Sequence, residues 1–121
     1  MREILFKGKR KDNGEWVEGF LSPIWGSLHI GNEFKAYPIN YETVGQFTGL
    51  KDKNGKKIFE CDIIKYCGVF GVVVYDNTFT AFLSKENEKF YTSFENIPTF
   101  GVNGVEVVGN IYDNKELIDE D

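Results

Sequence analysis

The stretch TGLKDKNGKKIFECDIIKY, residues Thr48 to Tyr66, governs how the rest of the chain is read. Its charge density resembles a loop built around a reaction site, yet Asn54-Gly55 is also a strong short-range hairpin signal. A three-residue loop would pair Asp52 with Lys56 and oppose Lys51 to Lys57. A two-residue loop would pair Asp52 with Lys57 and oppose Lys53 to Lys56, so cross-strand charge does not separate the registers. Asp at the first and Gly at the fourth position of Asp52-Lys53-Asn54-Gly55 favour a type I turn, which predicts the three-residue, bulged loop.

Working outward, apolar residues recur at spacings of two or in short β-branched and aromatic runs bounded by Gly, Asn and Asp, which reads as a mainly β chain with few or no long helices. Strands are predicted near Ser27–Ile30, from Thr43 into the opening stretch, and over Ile58–Phe59, Asp62–Tyr66, Val69–Tyr75, Thr78–Leu83 and Phe90–Phe94. Towards the N-terminus, Ile4–Arg10 and Glu15–Leu21 flank a second Asn-Gly turn. A three-residue loop there sets Lys11 opposite Glu15 and pairs Phe6 with Phe20, Leu5 with Leu21 and Arg10 with Trp16. Near the C-terminus, Val105, Val107, Gly109 and Ile111 alternate onto one face with Val108 as the exception, and Asn114 is placed to cap a short turn through Leu117.

The 121 residues, 41% hydrophobic and 16% aromatic, suffice for one domain or one domain with an appended sheet, folding without metal or disulfide. A net charge of −5 argues against a nucleic-acid binder, although lysines cluster at Lys7–Lys11 and Lys51–Lys57. Cys61 and Cys67 along extended chain stand roughly 20 Å apart, beyond disulfide reach, and read as buried or partly buried thiols. No signal-peptide core and no apolar run of membrane-spanning length is present, which predicts a soluble, cytoplasmic protein.

The chain offers little for catalysis. His29 is its one histidine, and it reads as an ordinary strand or surface residue rather than a partner for Cys61 or Cys67. Glu60 and Asp62 could in principle form a carboxylate pair, but a short acid at a strand entrance more commonly accepts turn amides. CGVFGVV lacks the Gly-Lys-Ser/Thr sequence and helix of a phosphate loop and reads as a tight strand connection. Trp25, Phe70, Phe94 and Phe100 fall in loop-like surroundings. They are either core fillers or, beside the basic residues, stacking surfaces.

Three stretches together resemble the YopX family of small bacteriophage and prophage proteins: FKGKRKDNGEWVEGFL, TVGQFTGLKDKNGKKIFECDIIK and VEVVGNIYDNKELI. The resemblance implies an SH3-like small β barrel in the C-terminal part, taken as residues 46–118, with an additional N-terminal β-hairpin region over 1–45; the charge distribution marks 119–121 as an acidic tail. It transfers no activity, cofactor or catalytic residue. Cys61 stands where the family pattern usually has Gly, which questions whether the left-handed backbone that Gly permits is retained.

The functional expectation is a non-enzymatic accessory protein of phage or prophage type, without metal or cofactor, that binds a protein partner or itself through sheet edges or exposed aromatics. Its candidate interaction surface is Lys9, Arg10, Trp16, Trp25 and Phe70. The alternative is a nucleic-acid-associated module using Lys7, Lys9, Arg10 and Lys11 with neighbouring aromatics.

Overall fold

A computed structural model describes residues 4–24, 27–32, 35–87, 90–94 and 104–118. The chain forms two compact units, Met1–Phe47 and Thr48–Asp121. The described residues are mainly β, in two antiparallel sheets, and none of their helices is long and apolar enough to cross a membrane. Trp25, Phe100 and the tail 119–121 lie outside the described residues.

The first unit contains β1 (Phe6–Arg10), β2 (Trp16–Ile24), β3 (Ser27–Gly31) and most of β4 (Ala36–Lys51). β1 pairs with β2, β2 with β3, β3 with β4, and β4 returns to β1, so the pairings close a ring. Closure removes the free edges that an open sheet would leave. Ile30, Ile39 and Phe47 are buried, and Gly8 belongs to the same interior: a Cβ there would meet the side chains of Ile39, Ile30 and Val44. Between Lys7 and Lys9 the β1–β4 register slips, and the Thr43 hydroxyl accepts the Lys9 amide at 2.8 Å in place of a ladder partner. β4 begins at Ala36 rather than Thr43 because Pro38, though it lacks a donor, still supplies its carbonyl to the Lys11 amide.

The first hairpin corrects the predicted register by one residue. Phe6 faces Gly19 and Lys9 faces Trp16, so Phe20 is left exposed instead of pairing with Phe6. The loop has four residues: Arg10 N–H reaches Glu15 O at 2.9 Å and Gly14 N–H reaches Arg10 O at 3.0 Å, with Gly14 at φ 72°. Local hydrogen bonds outweigh the cross-strand Lys11–Glu15 pairing. Arg10 donates through Nε and Nη2 to both Asp12 oxygens, and Asn13 Oδ1 accepts the Glu15 amide. The Arg10 fork holds the Asp12 carboxyl below its ordinary value.

The second unit holds the end of β4, then β5 (Lys57–Phe59), β6 (Asp62–Tyr66), β7 (Val69–Asp76), β8 (Ala81–Lys85), β9 (Tyr91–Ser93) and β10 (Glu106–Asn110). Its sheet order is β10-β6-β7-β8-β9, antiparallel throughout. The predicted loop at Asp52–Lys56 is present: Asp52 N–H donates to Lys56 O, Gly55 N–H donates to Asp52 O, and Gly55 has φ 82°. One sheet face buries Ile64 and Val73 together with Ile58, Val105 and Val107, and half-buried Leu50, Tyr66, Phe82 and Phe94 pack against them. Val108 broke the sequence alternation because it is the extra residue of a bulge, between the pairs Val107–Ile64 and Gly109–Ile63.

Three further expectations are revised. β8 starts at Ala81, not Thr78, because Asp76 Oδ1 accepts the Thr78 and Phe79 amides and turns the chain. Asn114 does not cap the 3-10 turn Lys115–Leu117 through its side chain; its Oδ1 accepts the Asn110 amide at 3.2 Å. Cys67 is exposed rather than buried, since it and Gly68 form the two-residue β6–β7 turn with φ 50° and 77°, a pattern of two positive φ values typical of tight hairpins.

Cys61 keeps the left-handed backbone at φ 73°, although it is not Gly. Its amide donates to Val73 O at 2.7 Å and its carbonyl accepts Ile111 N–H at 3.1 Å, so β7 and the turn after β10 hold a conformation its Cβ disfavours. Cys61→Gly is therefore expected to stabilise the protein by about 1 kcal/mol in urea unfolding. An unchanged or lowered midpoint would show that this backbone carries no such strain.

Candidate interaction surfaces

The first candidate surface lies on the N-terminal hairpin. Strand alternation turns Gly8 inward and Lys7 and Lys9 outward, opposite Glu18 and Trp16 on β2. Lys7 Nζ sits 4.9 Å and Lys9 Nζ 5.5 Å from the Trp16 ring centroid, within cation–π range. Arg10 is on the other face, 4.1 Å from the Tyr37 ring centroid, and does not join Trp16 as predicted. Of the five predicted surface residues, Lys9 and Trp16 are brought together, Arg10 is separated from them by strand alternation, Phe70 belongs to the second unit, and Trp25 is outside the described residues.

The second candidate surface is on the sheet face of the second unit opposite its core. Gly71 and Val73 on β7 turn inward and are buried, while Phe70, Val72 and Val74 alternate outward and remain half-buried. They floor an open groove of about 770 Å³, walled by Ile111, Leu117 and Ile118 from the C-terminal turn. Lys85 and Lys115 border it, and Lys65, opposite Phe70 in register, places Nζ 5.3 Å from the Phe70 ring centroid.

Glu86 is the acidic residue bordering this groove, and its carboxylate is turned to the core face. Oε1 accepts the hydroxyls of Tyr66 (3.3 Å) and Thr92, and Tyr66 OH also contacts Thr92 Oγ1 at 3.1 Å. Oε2 is buried, 3.4 Å from where a Gly71 Cβ would lie. Burial raises the Tyr66 phenol above its ordinary 10.0, the Thr92 hydrogen bond opposes the rise, and the Glu86 charge adds to it. A raised phenol value means the folded state prefers the neutral form, so this stability is present below pH 10 and is lost as pH climbs through the folded value. Tyr66→Phe is expected to cost about 1 kcal/mol at pH 8 and to flatten the alkaline loss above pH 10, as read by urea unfolding across that range. Parallel wild-type and variant curves above pH 10 would refute the linkage.

No group of three or more His, Cys, Asp or Glu residues among those described could hold a metal ion. His29 Nδ1 lies 3.0 Å from Ser27 O within β3. Asp62, the suspected half of a carboxylate pair, is buried and accepts the Phe59 amide at 2.8 Å, the turn-ordering role expected of it. The groove and its lysines escaped the sequence reading, although the Cys67-Gly68 turn, once fixed, places Lys65 beside Phe70.

A family model described as YopX protein matches residues 7–119, nearly the whole chain. A search of curated proteins found no match.

Proposed function

The chain belongs to the YopX family, and from that premise we propose that it is a non-enzymatic protein-interaction module, an accessory protein of bacteriophage or prophage origin acting in the bacterial cytoplasm. The observation that carries the reading is the groove beside β7, where Phe70, Val72 and Val74 keep apolar surface that the core does not use. Apolar surface gathered in a concavity with a polar rim suits a partner better than solvent. The second unit is read here as an SH3-like barrel, a fold whose roles are set by its surfaces rather than by its topology.

A photo-crosslinker placed at Phe70 is expected to capture a specific protein in cells expressing the chain, while one at the exposed turn residue Phe79 is not. Capture of nothing at position 70, with light scattering showing a strict monomer, would count against the reading.

A nucleic-acid role is favoured by one observation, the pairing of Lys7 and Lys9 with Trp16 on a single strand face. Such a surface could hold phosphate and base together. Single-stranded DNA binding that weakens steeply with salt would support it; no binding at low salt would sink it.

A further inference from the structure

We propose that Asn54, in the loop that Asp52 organises, is a self-modifying site: its side chain cyclises onto the Gly55 backbone nitrogen and reopens as aspartate or isoaspartate, which loosens the loop from β10. The reactants are the chain's own groups and water. The Gly55 nitrogen attacks Asn54 Cγ, the Cγ–Nδ2 bond breaks, and the Gly55 amide proton leaves with Nδ2 as ammonia, so that a cyclic imide remains. Water then adds to either imide carbonyl. One opening restores an ordinary peptide bond with aspartate at position 54, and the other routes the backbone through the side chain as isoaspartate. Glycine suits the attacking position because it has no Cβ to obstruct the approach.

Asn13-Gly14 and Asn54-Gly55 present the same reactants in two settings; Asn103, which also precedes a glycine, lies outside the described residues. The two attacking nitrogens are held alike. Gly14 N–H donates to Arg10 O and Gly55 N–H to Asp52 O, each at 3.0 Å, and both glycines are left-handed, at φ 72° and 82°. The two side chains differ. Asn13 Oδ1 accepts the Glu15 amide at 2.9 Å, a bond that ring closure has to break. Asn54 is exposed and donates its backbone amide to Asp52 Oδ1, while its side chain makes no hydrogen bond among the described residues.

The loop at Asn54 is also the one where a longer backbone reaches another strand. Asp52 Oδ1 accepts the amides of Asn54 and Lys56, which flank the Asn54–Gly55 link, and Asp52 Oδ2 accepts the Val107 amide on β10. Isoaspartate inserts a methylene between the two flanking amides, so the spacing that one carboxylate oxygen bridges is lost. Either product also adds a negative charge two residues from the buried Asp52 carboxylate. The contacts around Asn13 are local, from Arg10 to Asp12 and from Asn13 to Glu15.

The test is incubation of the full chain at mildly alkaline pH, followed by Glu-C peptide mapping with electron-transfer fragmentation, which tells isoaspartate from aspartate. Asn54 is expected to convert about fivefold faster than Asn13, the factor that one intact hydrogen bond imposes. In converted chains separated by ion exchange, amide exchange at Val107 is expected to rise about tenfold. Asn54→Gln, whose longer side chain disfavours the imide, is expected to keep Val107 protected through the same incubation. Asn54 left unconverted, or Asn13 converting as fast as Asn54, overturns the site. Conversion at Asn54 with Val107 exchange unchanged overturns its action on β10.

Discussion

Asp52→Ala is expected to destabilise the second unit by about 3 kcal/mol or more, since three hydrogen bonds to a charged acceptor are removed and their donors are left inside the protein. Asp52 is only 5% exposed. Its Oδ1 accepts the amides of Asn54 and Lys56, each at 2.9 Å, and its Oδ2 accepts the amide of Val107 at 2.9 Å. The first two contacts shape the loop, and the third ties that loop to a strand 55 residues further along the chain. Lys53 N–H reinforces the tie by donating to Val105 O at 3.0 Å. Asp52→Asn keeps one carbonyl acceptor and is expected to lose less, about 1–2 kcal/mol. Urea unfolding followed by far-UV circular dichroism gives the stability change, and amide exchange at Val107 locates it. Asp52→Ala within 0.5 kcal/mol of wild type, about the scale of an ordinary surface substitution, would mean that these amides find water and that the carboxylate does not hold the turn.

The charged stretch that opens this chain's central segment is thus a structural latch, and only part of that was legible beforehand. Local turn chemistry told enough to choose the bulged loop at Asp52–Gly55, because Asp at the first position and Gly at the fourth act within four residues. The same kind of reasoning erred by one residue at the first hairpin. There the cross-strand pair Lys11–Glu15 favours a shorter loop, whereas Arg10 and Asp12, two residues apart, form a fork that lengthens it. Contacts distant in sequence stayed hidden: neither the Asp52–Val107 bond nor the Glu86–Tyr66–Thr92 cluster leaves a trace in spacing or composition. Bulges were visible only as broken alternation, as at Val108. The groove stayed hidden as well, although Phe70, Val72 and Val74 alternate along β7, because the residues that wall it come from the distant C-terminal turn. Glu86 counts as an acid in the sequence, and only its hydrogen bonds show it facing away.

Gly31→Ala is expected to be the most damaging small substitution in the first unit, costing about 3 kcal/mol and exceeding a usual overpacking penalty because the obstruction is backbone. Gly31 ends β3 and is paired on both sides, with Phe20 on β2 and Ala36 on β4. A Cβ there would overlap Lys35 O and lie 2.5 Å from Ala36 Cα and 2.7 Å from Lys35 C. None of these atoms can rotate away as a side-chain end could. The neighbouring glycine compounds the constraint, since a Cβ on Gly19 would overlap Gly31 O and come 2.9 Å from Gly31 C. The two glycines let β2, β3 and β4 approach at the point where the ring of pairings turns. Substituting Gly14, whose added Cβ would meet nothing within 4 Å, gives the control: its cost is confined to its left-handed φ of 72°, about 1 kcal/mol. Urea unfolding monitored by tryptophan emission, with Trp16 on the adjoining strand, compares the two directly. A Gly31→Ala loss no larger than that of Gly14→Ala would show that β3 and β4 can separate without penalty, and that the closed ring is not the stable form of this unit.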